Sequence, residues 1–145
     1  MSSQRLLNTE ALLKQLKRVR RRGARASRIL QYTPELVEIL YPATMYPDLD
    51  AEARSMVVEH LIRQAVDVIG GDEGHALAIT LGLLPGLMGM RLNDRRKRAA
   101  EYMGVTANTW RRGPNEGVLF YDLAVEINRL YGTDPNPKLP ARTSQ

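Results

Sequence analysis

Hydrophobic residues along most of the chain recur at intervals of three and four, the spacing of one face of an α-helix. The strict alternation of apolar and polar residues that is typical of a half-buried strand does not occur. The predicted helices cover residues 9–22, 34–41, 48 or 50 to 69, 73–84, 94–103, 106–112 and 115–131. This pattern predicts an all-α protein that folds as a compact multi-helix domain.

The ends of these helices are predicted from capping residues and glycines. Asn8 or Thr9 is expected to cap the first helix, because a short polar side chain can accept hydrogen bonds from the unpaired amides of the first turn. Gly23 is expected to end that helix. The helix over 73–84 carries little polar surface before Pro85, so we expect it to be central and buried.

The apolar residues at helical spacing form the expected core. They are Leu12, Leu13, Leu16 and Val19 in the first helix, Val57, Leu61, Ala65 and Val68 in the long helix, and Val118, Leu119, Leu123 and Ile127 in the last. The stripe from Leu12 to Val19, or the last helix, could instead present its apolar row to a second copy of the chain, which would make a homodimer.

The charge of the chain is unevenly distributed. Residues 1–28 carry nine Lys or Arg and one acid, residues 29–90 carry two and nine, and residues 91–145 carry ten and six. The net charge of the whole chain is +5 at pH 7. Two basic blocks around an acidic one indicate ends that contact a polyanion or ends that contact the acidic middle, and charge alone does not choose between them.

Composition divides the chain into three parts. Residues 1–30 are predicted to form a basic amphipathic helix or arm, residues 31–132 a helical domain, and the Pro-rich residues 133–145 a disordered, flexible tail. Three interpretations of the basic arm stay open. It could contact nucleic acid, it could be a solvated or partner-facing helix, or it could lie on an anionic membrane surface.

Residues 96–115, RKRAAEYMGVTANTWRRGPN, have the spacing of two short helices joined by a tight turn. Ala100 is small where the helices would cross, and Gly104 can adopt the left-handed backbone that ends the first of them. Trp110 would anchor the seam between the helices, and Thr106 would cap the second. The segment resembles the helix-turn-helix of bacterial DNA-binding proteins.

This resemblance, which spans 94–113 with Asn93 or Asp94 as the first cap, implies a role for each polar position. In such proteins the second helix enters the major groove, with early residues at base edges and later residues at the backbone. Asn108 is the best candidate for base readout, because its amide can form two hydrogen bonds with adenine. Base or phosphate contacts are expected from Arg18, Arg21, Arg22, Arg95, Arg96, Lys97, Arg98, Thr106, Ala107, Asn108, Thr109, Arg111 and Arg112.

A second resemblance favours a different function. Residues 81–112, LGLLPGLMGMRLNDRRKRAAEYMGVTANTWRR, together with Glu116 and the helix after it, are similar to a helical module of actinobacterial proteins of unassigned role. Gly113 and Pro114 also limit the second helix of the motif to about two turns. The alternative is therefore an adaptor or regulatory module that binds a partner protein and not DNA.

The residues present disfavour an enzyme or a metal-dependent protein. The chain has no cysteine, and His60 and His75 lie on separate predicted helices without other ligands nearby. Asp72 and Asp94 lie at helix starts, where carboxylates act as caps. No nucleophile elbow, phosphate loop or metal-ligand spacing occurs. We therefore expect no catalytic activity, no cofactor and no metal.

The sequence also indicates where the protein works. No segment approaches the roughly 20 apolar residues that a membrane-spanning helix needs, and the first residues lack a basic leader followed by an apolar block. The expectation is a cytoplasmic, nucleoid-associated protein that binds double-stranded DNA as a transcriptional regulator.

Overall fold

The computed structural model of the chain describes residues 7–112 and 114–133. All regular structure in these residues is helical, which confirms the predicted all-α fold. The described part contains, in order, α1 (Thr9–Arg22), α2 (Ala26–Tyr32), α3 (Pro34–Leu40), α4 (Ala51–Ile69), α5 (Gly71–Thr80), α6 (Leu92–Met103), α7 (Ala107–Arg112) and α8 (Pro114–Thr133). The tail predicted over 133–145 lies outside the described residues, except for Thr133 at the end of α8.

Helices α1 and α4 begin where the sequence predicts. The Oδ1 atom of Asn8 accepts hydrogen bonds from the backbone amides of Glu10 and Ala11 at 2.9 and 3.2 Å. The Oδ1 atom of Asp50 accepts a hydrogen bond from the amide of Ala53 at 2.7 Å. Each cap satisfies amides that a helix start leaves unpaired, and each contributes about 1 kcal/mol of stability.

The hydrophobic core draws residues from every described helix. Leu12, Leu16 and Val19, the predicted stripe of α1, are fully buried in it, where α1 packs against α2 and α8. Burying one leucine side chain contributes about 2 kcal/mol, so this stripe holds α1 on the rest of the protein. The prediction that the stripe is free to meet a second copy of the chain is therefore wrong.

Helix α5 is buried as predicted, but it ends at Thr80, four residues earlier than expected. Gly82 adopts left-handed backbone with φ +69°. Its amide donates to the carbonyl oxygen of Ile79 at 3.0 Å, and the amide of Leu83 donates to that of Ala78 at 2.9 Å. These two bonds form a Schellman motif, which closes the helix before Pro85 can.

Helix α2 is not among the helices that the sequence predicts. Ile29 is its only buried residue, so hydrophobic spacing gives no helical signal there. The amide of Ala26, at its start, donates to the carboxylate Oε1 of Glu59 at 2.7 Å. A cap supplied from α4, 33 residues further along the chain, is a tertiary interaction that local sequence does not reveal.

Two residues that were expected to face the core are exposed. Val68 in α4 and Val118 in α8 are 52% and 50% exposed, whereas their neighbours Val66 and Leu119 are buried. Successive residues of a helix point about 100° apart, so a small error in the assumed inward direction moves a side chain from the core to the surface.

The two longest helices, α4 and α8, both carry charged residues along their length. Among the helices that the structure describes, none combines the length and the apolar character needed to cross a membrane.

Candidate functional site

Helix α6 begins earlier than the sequence predicts. Arg91 is its N-cap residue and makes no side-chain capping bond, so Asn93 and Asp94 lie inside the first turn. The amide of Arg95 closes that turn by donating to the carbonyl oxygen of Arg91 at 3.0 Å. The prediction that Asn93 or Asp94 caps this helix is therefore wrong.

A tight turn joins α6 to α7. Gly104 has the left-handed backbone expected of it, with φ +73° and ψ 26°. The amide of Gly104 donates to the carbonyl oxygen of Glu101 at 3.1 Å, and the amide of Val105 donates to that of Ala100 at 2.9 Å. This second Schellman motif fixes the direction in which α7 leaves α6.

Trp110 holds α7 against α6 and α8. Its side chain is fully buried, as are those of Ala99 and Ala100 on α6. The indole Nε1 finds no acceptor among the described residues, so the ring acts here as an apolar anchor. Val105 and Ala107 are partly buried against the same core. Ala107 therefore does not join the exposed side of α7, where it was predicted to meet a base.

The opposite side of α7 is open to solvent. Asn108, Thr109, Arg111 and Arg112 are exposed there, and we call these four residues the α7 surface. Thr106 caps the helix as predicted, since its Oγ1 accepts a hydrogen bond from the amide of Thr109 at 3.1 Å. Nη2 of Arg111 donates to Oδ1 of Asn108 at 3.2 Å. Arg112 forms no ion pair with any residue that the structure describes.

Lys97 and Arg98 lie on the exposed side of α6. Neither forms an ion pair within residues 7–112 and 114–133. The exposed carboxylates of Asp94 and Glu101 lie within one turn on either side of them. The two cations are accessible to a phosphate group, but in a neighbourhood whose formal charges balance.

Arg95, predicted to contact phosphate, is only 2% exposed. Its guanidinium donates hydrogen bonds to the backbone carbonyl oxygens of Thr80, Arg20 and Arg21. These carbonyls lie at the ends of α5 and α1, so the cation neutralises the negative ends of two helices. Burial and the neighbouring charge of Arg96 lower the pKa of Arg95 to about 10. The predicted DNA contact is wrong, because the side chain is enclosed.

Arg96, also predicted to contact phosphate, is paired inside the protein. Its Nε and Nη2 donate to the carboxylate oxygens of Glu116 at 2.9 and 2.8 Å. Nη1 of Arg20 donates to the same carboxylate at 2.7 Å. Glu116 is 1% exposed, so one buried carboxylate joins α1, α6 and α8. The prediction for Arg96 is corrected for this reason: its guanidinium is already occupied by a carboxylate.

The three predicted contacts on α1, namely Arg18, Arg21 and Arg22, are exposed. The Arg22 guanidinium lies over the ring of Tyr32, 4.4 Å from its centroid. Arg21 and Arg22 line two adjoining clefts at the end of α1, and no residue of α7 lines either cleft. The exposed predicted site residues therefore form two separate groups, one on α7 and the outer side of α6 and one at the end of α1. The buried Arg95 and Arg96 lie with the second group.

Sequence reasoning missed that two of the arginines are buried and that a carboxylate pairs with one of them. A signal was present in the spacing. Arg95 and Arg96 lie four residues before Ala99 and Ala100, so they share the side of α6 that carries its small buried residues. No comparable signal marks the partner of Arg96, since Glu116 is 20 residues further along the chain and comes close only in the folded protein.

The described residues contain no group of three or more His, Asp or Glu side chains that could hold a metal ion. Comparisons of the chain with protein-family models, with curated proteins and with solved structures find no match. Function is therefore inferred from the chain's own residues.

Proposed function

We propose that the protein binds double-stranded DNA, with α6 and α7 acting as a helix-turn-helix and α7 entering the major groove. The observation that carries this proposal is the two-sided character of α7. Trp110 fixes one side in the core, while the α7 surface is polar, cationic and exposed. A short helix that is held firmly and presents such a face has the properties that groove recognition requires.

Under this proposal the exposed residues have distinct roles. Asn108 would read adenine, because its amide can donate one hydrogen bond and accept another at that base once Arg111 releases its Oδ1. Arg112 would neutralise a phosphate group, since it has no carboxylate partner among the described residues. Lys97 and Arg98 would add phosphate contacts from α6.

The length of α7 sets the balance between these roles. With six residues, it reaches few base edges, and most of the affinity would come from phosphate contacts. If the four exposed cations of α6 and α7 each neutralise one phosphate, the logarithm of the binding constant should fall against the logarithm of salt with a slope of about −4. Such a protein would serve in the cytoplasm as a nucleoid-associated transcriptional regulator.

Fluorescence anisotropy of a labelled duplex tests the proposal. We expect binding at about 50 mM salt that weakens steeply as salt rises. Arg112→Ala should weaken binding to all sequences about equally and reduce the salt slope by about one. Lys14→Ala is the matched control, because Lys14 is exposed on α1 and, like Arg112, forms no ion pair with any described residue. No binding at low salt, or equal losses in the two variants, would contradict the proposal.

The second candidate function is binding of a partner protein, and the outer face of α8 favours it. Val118, Tyr121 and Val125 recur at helical spacing and are 50%, 52% and 45% exposed. An exposed apolar row of this kind is typical of a surface that docks another helix. A second copy of the chain bound there would also bring two α7 helices to one duplex.

Sedimentation velocity of the protein and its Tyr121→Ser variant tests the second candidate. A dimer that dissociates in the variant would support self-association. If the protein is a monomer, a pull-down after nuclease treatment follows. Recovery of one stoichiometric partner by the protein, and its loss in the variant, would support a partner protein. A monomer without such a partner would contradict this candidate.

A further inference from the structure

A cleft of about 540 Å³ lies between the end of α1, the start of α2 and the start of α6. Its lining contains Arg21, Arg22, Arg25 and Arg28 from α1, α2 and the turn between them, Arg91 at the start of α6, and the buried Arg95 and Arg96. We call it the arginine cleft. Among the described residues no acidic residue lines it, so every charged side chain of its lining is cationic.

The buried and partly buried charges beneath the arginine cleft also carry a net positive charge. Glu116 is the single carboxylate that pairs with Arg20 and Arg96, and Arg95 binds only backbone carbonyl oxygens among the described residues. Two guanidinium groups therefore share one carboxylate, and the third, that of Arg95, has no carboxylate partner among the described residues. Burying cations without matching anions is costly, and an anion in the cleft would offset that cost.

Three arginines of the cleft have free hydrogen-bonding capacity. Arg25, Arg28 and Arg91 form no ion pair with any residue that the structure describes. The Nε atom of Arg25 is buried and finds no acceptor among the described residues. Guanidinium groups bind phosphate oxygens through two parallel hydrogen bonds, so these side chains are suited to a ligand with several phosphate oxygens.

The shape of the cleft favours a small ligand over a duplex. Its volume lies in the range of about 300–1,000 Å³ that is typical of small-molecule pockets. It is a concave site between three helices, and Leu87, Met88 and Met90 add apolar surface to its lining. None of the α7 surface lines it, so it is separate from the proposed DNA contact.

We infer that the arginine cleft binds a small molecule that carries two or three linked phosphate groups. Arg25, Arg28 and Arg91 bind the phosphate oxygens, and the inner arginines add positive potential without changing their own partners. This site goes beyond DNA binding and does not depend on it.

Isothermal titration calorimetry with inorganic tripolyphosphate, at about 150 mM salt to screen weak surface contacts, tests the inference. The double variant Arg28→Gln, Arg91→Gln removes two charges from the cleft and leaves the buried hydrogen bonds of Glu116 with Arg20 and Arg96 intact. The control double variant Lys14→Gln, Arg129→Gln removes the same charge from exposed residues that line none of the described clefts. Far-UV circular dichroism and thermal melting establish that both variants fold.

We expect one tripolyphosphate to bind per chain, with the dissociation constant rising about tenfold for each cleft arginine lost and staying within about twofold in the control. Absence of binding, or an equal loss in both double variants, would overturn the inference. Duplex titration of the same proteins separates this site from the DNA site: a cleft variant that loses tripolyphosphate but keeps its duplex affinity supports two sites. A duplex that displaces tripolyphosphate competitively would contradict them.

Discussion

Arg96 and Glu116 form a bidentate ion pair inside the protein, with N···O distances of 2.9 and 2.8 Å. The pair joins the second turn of α6 to the first turn of α8, and α7 lies between these two helices in the sequence. Because Arg20 binds the same carboxylate at 2.7 Å, α1 is tied to the same point. The orientation of the α7 surface therefore depends on a buried carboxylate that α7 itself does not carry.

Replacing Glu116 by Gln is expected to lower the free energy of unfolding by about 3 kcal/mol, because two largely buried guanidinium groups lose their counter-charge. Urea unfolding followed by far-UV circular dichroism measures the change. Glu126→Gln is the control, since it breaks the ion pair with the largely exposed Arg129 and should change stability little. Similar losses of unfolding free energy in the two variants would show that the buried ion pair contributes no more to stability than the exposed one.

Trp110 is the only tryptophan of the chain, so the fluorescence emission reports on how α7 packs against the core. We expect blue-shifted emission in the native protein and a loss of about 4 kcal/mol of stability in Trp110→Ala, because a large buried side chain is removed. Trp110→Phe should cost much less, since phenylalanine keeps most of the apolar volume and removes an N–H that lacks an acceptor among the described residues. Emission typical of a solvated indole in the native state would contradict the buried position.

Gly104 and Gly117 should respond in opposite ways to alanine. Gly104 has φ +73°, and no heavy atom lies within 4 Å of an added Cβ, so Gly104→Ala should lose about 1 kcal/mol from backbone strain alone. Gly117 lies in α8 with equally open surroundings, so Gly117→Ala should gain about 0.5–1 kcal/mol from helix propensity. Thermal unfolding of the two variants measures both signs, and a stabilising Gly104→Ala would contradict the turn geometry.

The Tyr102 hydroxyl donates a hydrogen bond to Oδ1 of Asp72 at 2.9 Å and so joins the end of α6 to the start of α5. This bond, with smaller contributions from desolvation and the charge of Asp72, raises the pKa of Tyr102 above its ordinary value of 10.0. A raised pKa in the folded state means that the bond stabilises the protein at neutral pH and that this contribution is lost as pH rises through the raised pKa.

NMR titration of the Tyr102 ring measures that pKa, with Tyr102→Phe used to assign the signal. In Asp72→Asn the pKa should move back towards 10.0, because the anionic acceptor is gone. An unchanged pKa in Asp72→Asn would show that the carboxylate is not the cause.

Local signals in the sequence were enough to place most helix ends. Asn8, Asp50 and Gly104 begin or end helices through interactions with residues next to them in the sequence, and each was predicted. The start of α2 was not predicted because its capping carboxylate comes from Glu59 on another helix. Helix α5 ends at the left-handed Gly82 and not at Pro85, and the spacing of apolar residues does not distinguish these two ends.

The candidate site was harder to predict than the fold. A run of four basic residues shows charge density, but the fold turned Arg95 and Arg96 inward and left Lys97 and Arg98 outside. The arginine cleft joins residues of α1 and α2 to Arg91 at the start of α6, so it exists only in the folded chain. The α7 surface was predicted because its exposed residues and its anchor Trp110 lie within one short segment.

Selection of duplexes from a random library at about 150 mM salt, with the protein and its Asn108→Ala variant side by side, tests the proposed DNA readout most directly. The account predicts that the protein enriches a short motif containing an adenine, and that Asn108→Ala loses preference at that one position while keeping most of its affinity. No enrichment by the protein, or the same motif from both proteins, would contradict it.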